Sequence, residues 1–226
     1  MHKEIEATVS TIESFREFYN LDNLILSGND SDSLNQLLRK YELKNLNSMP
    51  YIGPLLEAQK NREINSWDAD FAIDLVQIQM ENLANALRKL ATSHILYLHP
   101  DHRIVGKIRS YEDISLDITT PNKYTKDVQS KLIAEFGPQL IMKKYGIPSV
   151  INRQDFLDVY DFFKRNRQTM LKLAEITSNR VAFDDYLIPI LFKLCDLPIS
   201  NRKLTRELQR RKSLLYMKAP ILHQVR

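Results

Sequence analysis

Apolar side chains recur along this chain at two rhythms, and the longer one dominates. Across residues 66–98, Ala69, Ile73, Val76, Met80, Leu83, Leu87, Leu90, His94 and Tyr97 follow one another at alternating steps of four and three. That spacing is the seam of a helix packed along its length. Phe71, Leu75, Ile78, Ala86, Ile95 and Leu98 fall outside the seam. The predicted helix is therefore apolar on more than one face and belongs among other helices. Ser66 is suited to cap it, Asp68 and Asp70 match its positive end, Arg88 and Lys89 match its negative end, and Pro100 forbids continuation. A rod of this kind spans about 45 Å, the length of a domain. A dimeric zipper would leave the second apolar set in water, so the expectation is a buried central helix.

The flanking pattern predicts further helices. Ile5, Val9, Ile12, Phe15 and Phe18 mark one over 3–20, and Leu34, Leu37, Leu38 and Tyr41 mark a short one capped by Ser31 or Asp32. A third is expected over 52–64, with Pro54 in its first turn. After Pro100 the period drops to two. Ile104, Gly106 and Ile108, then Ile114, Leu116 and Ile118, alternate with polar residues and predict one small β-hairpin over about 103–118. Pro121 and Asn122 suggest a boundary, dividing an N-terminal helical subdomain (1–120, with central helix and hairpin) from a C-terminal one (121–226). In the second half, a helix through Val128, Leu132 and Phe136 is broken at Gly137 and Pro138 and resumes to Tyr145. Asn152 caps the next, through Phe156, Tyr160 and Phe163, with 164–168 a kink or an exposed turn. Phe183 or Asp184 opens another, in which Pro189 is tolerable only near the first turn. The fold class is mainly α, a multi-helix bundle around the central helix with one small hairpin.

Composition adds little to this until it is divided along the chain. The 226 residues are 43% hydrophobic and 27% charged with 5 Gly, as in an ordinary helical globular protein. No apolar run approaches the ~20 residues of a membrane span, and the first twenty residues carry Glu4, Glu6, Glu13 and Glu17, so an intracellular protein without membrane association is expected. The single Cys195 cannot form an internal disulfide. The formal charge of +4 is uneven: 199–226 holds eight basic residues against Glu207 alone, a net of +7, while the rest carries −3.

Several groups suggest chemistry. His94, His99, Asp101 and His102 place three of the five histidines within nine positions, and imidazole with carboxylate can ligate zinc. Their spacing is not diagnostic of a metal site. His94 sits on the helical seam, where burial with one hydrogen bond explains it, and His99 and His102 suit a polar turn. No cofactor is expected. Arg88 and His94, five residues between them, resemble the short Arg-to-His spacing of the HEPN ribonucleases, which are also helical. The resemblance covers these two residues and implies a helical nuclease. It departs at Lys89, where that family often has Asn, Asp or His, and on a continuous helix the pair would point about 240° apart. Cys195 as a nucleophile would need a base such as His223. There is no Gly-rich phosphate loop and no Ser in a nucleophile elbow. Catalytic residues are therefore not assigned.

The basic end is the remaining signal. Ser200 or Asn201 can cap a helix bearing Leu204, Leu208 and Leu215, with Arg202, Lys203, Arg206, Arg210, Arg211 and Lys212 round its other sides. A short helix, a tight turn and a basic helix is the outline of a helix-turn-helix, although many amphipathic helices carry such a face as solvated surface or interface rim. The expectation is a non-enzymatic binding and assembly protein that meets other proteins through helical surfaces and DNA or RNA through these six residues. The rival is a protein–protein adaptor or assembly factor, of viral, phage or secretion type, whose tail docks on an acidic partner. A helical nuclease or metal-dependent hydrolase is the third reading.

Overall fold

A computed structural model describes residues 2–26, 32–45, 69–98, 102–108, 114–116, 120–121, 126–140, 143–144, 149–177 and 183–200. Seven α-helices lie among them: α1 (His2–Arg16), α2 (Asp32–Tyr41), α3 (Ala69–Lys89), α4 (Lys126–Phe136), α5 (Arg153–Arg165), α6 (Arg167–Thr177) and α7 (Phe183–Leu194). The strands are short: β1 (Ile25–Leu26), β2 (Lys44–Asn45), β3 (His94–Tyr97), β4 (Thr120–Pro121), β5 (Lys143–Lys144) and β6 (Ser149–Asn152). The fold is mainly helical with a small antiparallel sheet. The helix expected over 52–64 lies outside the described residues.

Helix α3 is the spine that the apolar seam predicted. Ile73, Val76, Met80 and Leu87 are buried, and so are Ala72 and Ala84, which widen the apolar stripe. It packs against α5, α6 and α7. One continuous core joins these side chains to Val128, Leu132, Phe156, Val159, Phe163, Met170, Leu173, Leu187, Leu191 and Phe192. Residues on both sides of 119–124 thus enter the same core.

The spine is shorter than the pattern suggested, ending at Lys89 rather than near 98 and reaching about 31 Å. His94 to Tyr97 form a strand instead. A short apolar run such as His94-Ile95-Leu96-Tyr97-Leu98 satisfies a helical seam and a buried strand equally well, and a tertiary partner decides between them. That partner is β6: His94 faces Asn152, Ile95 faces Ile151, Leu96 faces Val150 and Tyr97 faces Ser149, antiparallel. Leu116 bridges to Ile151 as well. The small antiparallel sheet is therefore present but assembled from distant segments, and residues 103–108, expected in a local hairpin, hold no strand.

This sheet separates two apolar layers. Ile95, Tyr97, Leu116 and Ile151 face the helical core. Leu96, Leu98, Ile114 and Val150 face the other way, joining Ile104 and Phe15 of α1. Along β3 and β6 the alternation is the period of two that a strand imposes. A third cluster, Ile12, Leu37, Leu38, Tyr41 and Leu43, binds α1 to α2.

Local signals set the ends of most elements. Asn152 caps α5, its Oδ1 accepting from the N–H groups of Gln154 and Asp155 at 3.0 and 3.2 Å. Gly137, at φ +97°, ends α4 as expected, but among the described residues up to 144 no helix resumes: 137–140 is a turn, and Lys143–Lys144 pair with Thr120–Pro121. Asn166 separates α5 from α6 at the expected kink. Pro189 lies inside α7, beyond the first turn. The cost of such a proline is about 3 kcal/mol, whereas full burial of Leu187, Ile190, Leu191 and Phe192 contributes about 1.5–3 kcal/mol each, so packing overrides the local preference.

Candidate functional site

Arg202, Lys203, Arg206, Arg210, Arg211 and Lys212 lie outside the described residues. What the structure gives is the point from which they start. Helix α7 closes with Leu197 N–H on the carbonyl of Phe192 at 2.8 Å and Asp196 N–H on that of Lys193 at 3.1 Å, while Asp196 sits at φ 55°. This is a Schellman closure with aspartate in the place usually held by glycine. Leu197 and Ile199 then pack on the helical core, and Ser200 N–H donates to the Leu116 carbonyl at 2.8 Å. The chain reaches the basic segment from a fixed position beside the sheet.

Carboxylates stand close to that position. Asp155 accepts from the Ser115 hydroxyl. Asp158 accepts from Gln154 Nε2 at 2.9 Å. The half-buried Cys195 thiol is raised above its ordinary value, first by burial and then by the charge of Asp158. An activated cysteine needs the opposite shift, so the surroundings of Cys195 suit an inert thiol. His223 lies outside the described residues.

The histidine group is divided between elements. His94, on β3, has Nδ1 3.0 Å from Ser93 Oγ and Nε2 3.4 Å from Asn152 Nδ2. His102 is buried, and its carbonyl accepts from Thr11 Oγ1 of α1. His99 and Asp101 are outside the described residues. Among the described residues, no group of three or more His, Cys, Asp or Glu is placed to hold a metal ion.

Arg88 and His94 do not share a helix: one is in the last turn of α3 and the other is on β3. The angular separation expected on a continuous helix therefore does not apply. Arg88 donates to Asn85 Oδ1 at 3.2 Å, and its guanidinium lies 5.6 Å from the centre of the Tyr160 ring. Lys164 Nζ lies 4.6 Å from the same ring and forms a 3.0 Å ion pair with Asp161. The phenol of Tyr160 is raised by burial and by Glu81, and the bond from Lys164 lowers the Asp161 carboxyl. This cluster of Arg88, Tyr160, Asp161 and Lys164 escaped sequence reasoning. Its only trace was the helical spacing of Tyr160 and Lys164, with Arg88 far off in sequence. Lys164 and Asp161 are already paired and Arg88 is bonded to Asn85, as in a structural contact.

Comparison with protein-family models, curated proteins and solved structures returned no match. Among the described residues, no helix is long and apolar enough to cross a membrane.

Proposed function

We propose that this chain is a non-enzymatic binding and assembly protein that contacts nucleic acid through the basic residues of its C-terminal segment. The observation that carries the reading is the charge distribution: +7 over 199–226 against −3 over everything before it. Such a block attracts a polyanion by releasing its condensed counterions, and the attraction needs no preformed pocket. The hydrogen bond from Ser200 to Leu116 supports the reading, because it gives the charged segment a fixed base from which to act. The paired charges round Tyr160 and the raised thiol of Cys195 give no comparable support to catalysis.

The test is binding of a labelled duplex and a labelled single strand to the full chain and to the triple variant Arg210→Ala, Arg211→Ala, Lys212→Ala. If each of the three meets a phosphate, the variant binds at least tenfold more weakly at low salt. Equal affinity would remove the proposal. The adaptor reading rests on the same segment, since a +7 block also complements an acidic protein surface. It predicts that deleting 201–226 abolishes capture of a protein partner in nuclease-treated extract.

A further inference from the structure

Helix α1 lies over the outer face of the small sheet, and its attachment there differs in kind from the packing of the helical core. Three hydroxyl side chains on one stretch of α1 reach the segment 102–108. Ser10 Oγ accepts from Arg103 Nε at 2.5 Å, Thr11 Oγ1 donates to the His102 carbonyl, and Ser14 Oγ accepts from Ile104 N–H at 3.1 Å. Beyond the helix, the Tyr19 hydroxyl accepts from Ile108 N–H at 2.8 Å. The apolar part of the junction has fewer buried side chains than the helical core: buried Phe15 is set against Ile104, Ile114 and Val150, with half-buried Phe18, Tyr19, Leu21 and Leu24 round it.

The other side of α1 holds firmly to α2. Ile12 packs with Leu37, Leu38, Tyr41 and Leu43, and the Tyr41 hydroxyl donates to Glu13 Oε1 at 2.8 Å. The two helices thus form a unit with its own apolar cluster. The unit is joined to the rest through this one partly exposed apolar patch and a row of hydroxyl bonds. A hydroxyl bond of this kind shifts an equilibrium only about two- to tenfold, because water replaces it. Parting the junction leaves the helical core intact, since Ile95, Tyr97, Leu116 and Ile151 stay packed on the opposite face of the sheet.

We infer that α1 and α2 together are a cover that opens as one body, uncovering Ile104, Ile114 and Val150 and the N–H groups of Ile104 and Ile108 while the helical core remains folded. Proteins open in contiguous units of this sort when one set of contacts is weaker than the rest.

Hydrogen exchange on the full-length chain tests it. The amide of Ile108, bonded across the junction to Tyr19, should exchange through this opening with a weaker denaturant dependence than the amide of Leu173 in the core, while the amide of Leu43, bonded to the Leu38 carbonyl inside the unit, keeps its protection. Ser14→Ala should accelerate Ile108 about tenfold and leave Leu43 and Leu173 unchanged. The Ile108 amide is not bonded to Ser14, so its response reports the opening of the whole junction. Acceleration at Ile104 alone would overturn the inference, as would an equal rise at Leu173, which would mean that the chain opens only as a whole. Phe15→Leu provides an independent perturbation with the same expected pattern and the same contrary outcomes.

Discussion

Two residues pay a conformational cost that their neighbours impose. Glu42 and Asp196 sit at φ 53° and 55°, in the left-handed region that side chains with a Cβ avoid. Both close helices in the same way: Leu43 N–H reaches the Leu38 carbonyl at 2.9 Å, as Leu197 N–H reaches that of Phe192 at 2.8 Å. In each case the residue that follows packs on an apolar cluster, which holds the turn closed. Glu42→Gly should therefore raise the stability of the N-terminal unit by about 0.5–1 kcal/mol, readable as slower exchange of the Leu43 amide. The cap of α5 works in the opposite direction. Asn152→Ala removes an acceptor shared by two N–H groups and should lower the unfolding free energy by about 0.5–2 kcal/mol in a urea titration. Asn152 was legible in the sequence as a cap. Glu42 and Asp196 were not, because a glycine ordinarily signals such a closure and neither position has one. Cys195 offers a further check. Its alkylation by iodoacetamide should have a midpoint above that of a free cysteine, and Asp158→Asn should move the midpoint down.

At the scale of elements, helices were legible wherever a seam ran long enough to exclude other readings. Helices α3, α4, α5 and α7 begin within a few residues of where capping groups and apolar spacing placed them. The strands were less so, because β3 and β6 lie more than fifty residues apart and neither carries a turn that announces the other. Their pairing is what makes Ile151 and Leu116 central, both fully buried where sheet meets helices. On the same β3, Tyr97 is raised by burial. A phenol that holds its proton more tightly when folded leaves stability unaffected below about pH 10, then costs stability as pH rises through the folded value, because the unfolded chain ionises first. Tyr97→Phe should flatten that alkaline decline, leaving the part due to Tyr160, which is shifted the same way. An unchanged slope would mean that the Tyr97 hydroxyl is in water. In the core itself, Phe156→Ala should cost about 3–5 kcal/mol, since the ring is fully buried among α3, α7 and its own helix.

For the whole molecule, charge is divided between a body of net −3 and a segment, 199–226, of net +7. Several of the body's exposed charges are paired: Arg167 with Asp70 at 2.7 Å and Asp74 at 3.6 Å, Lys172 with Glu135 at 2.6 Å, Lys164 with Asp161 at 3.0 Å. Such pairs fix surfaces rather than seek partners. The uneven charge was readable from the sequence alone. The fixed exit at Ser200 was not, since it depends on a bond to Leu116, a residue 84 positions earlier. The most direct measurement is the affinity of the full chain for duplex DNA over a range of salt concentrations. With six phosphate contacts, log affinity falls against log salt with a slope of about −5, and each alanine among the six residues reduces that slope by about one. An affinity indifferent to salt, or a slope unmoved by those substitutions, would contradict the account.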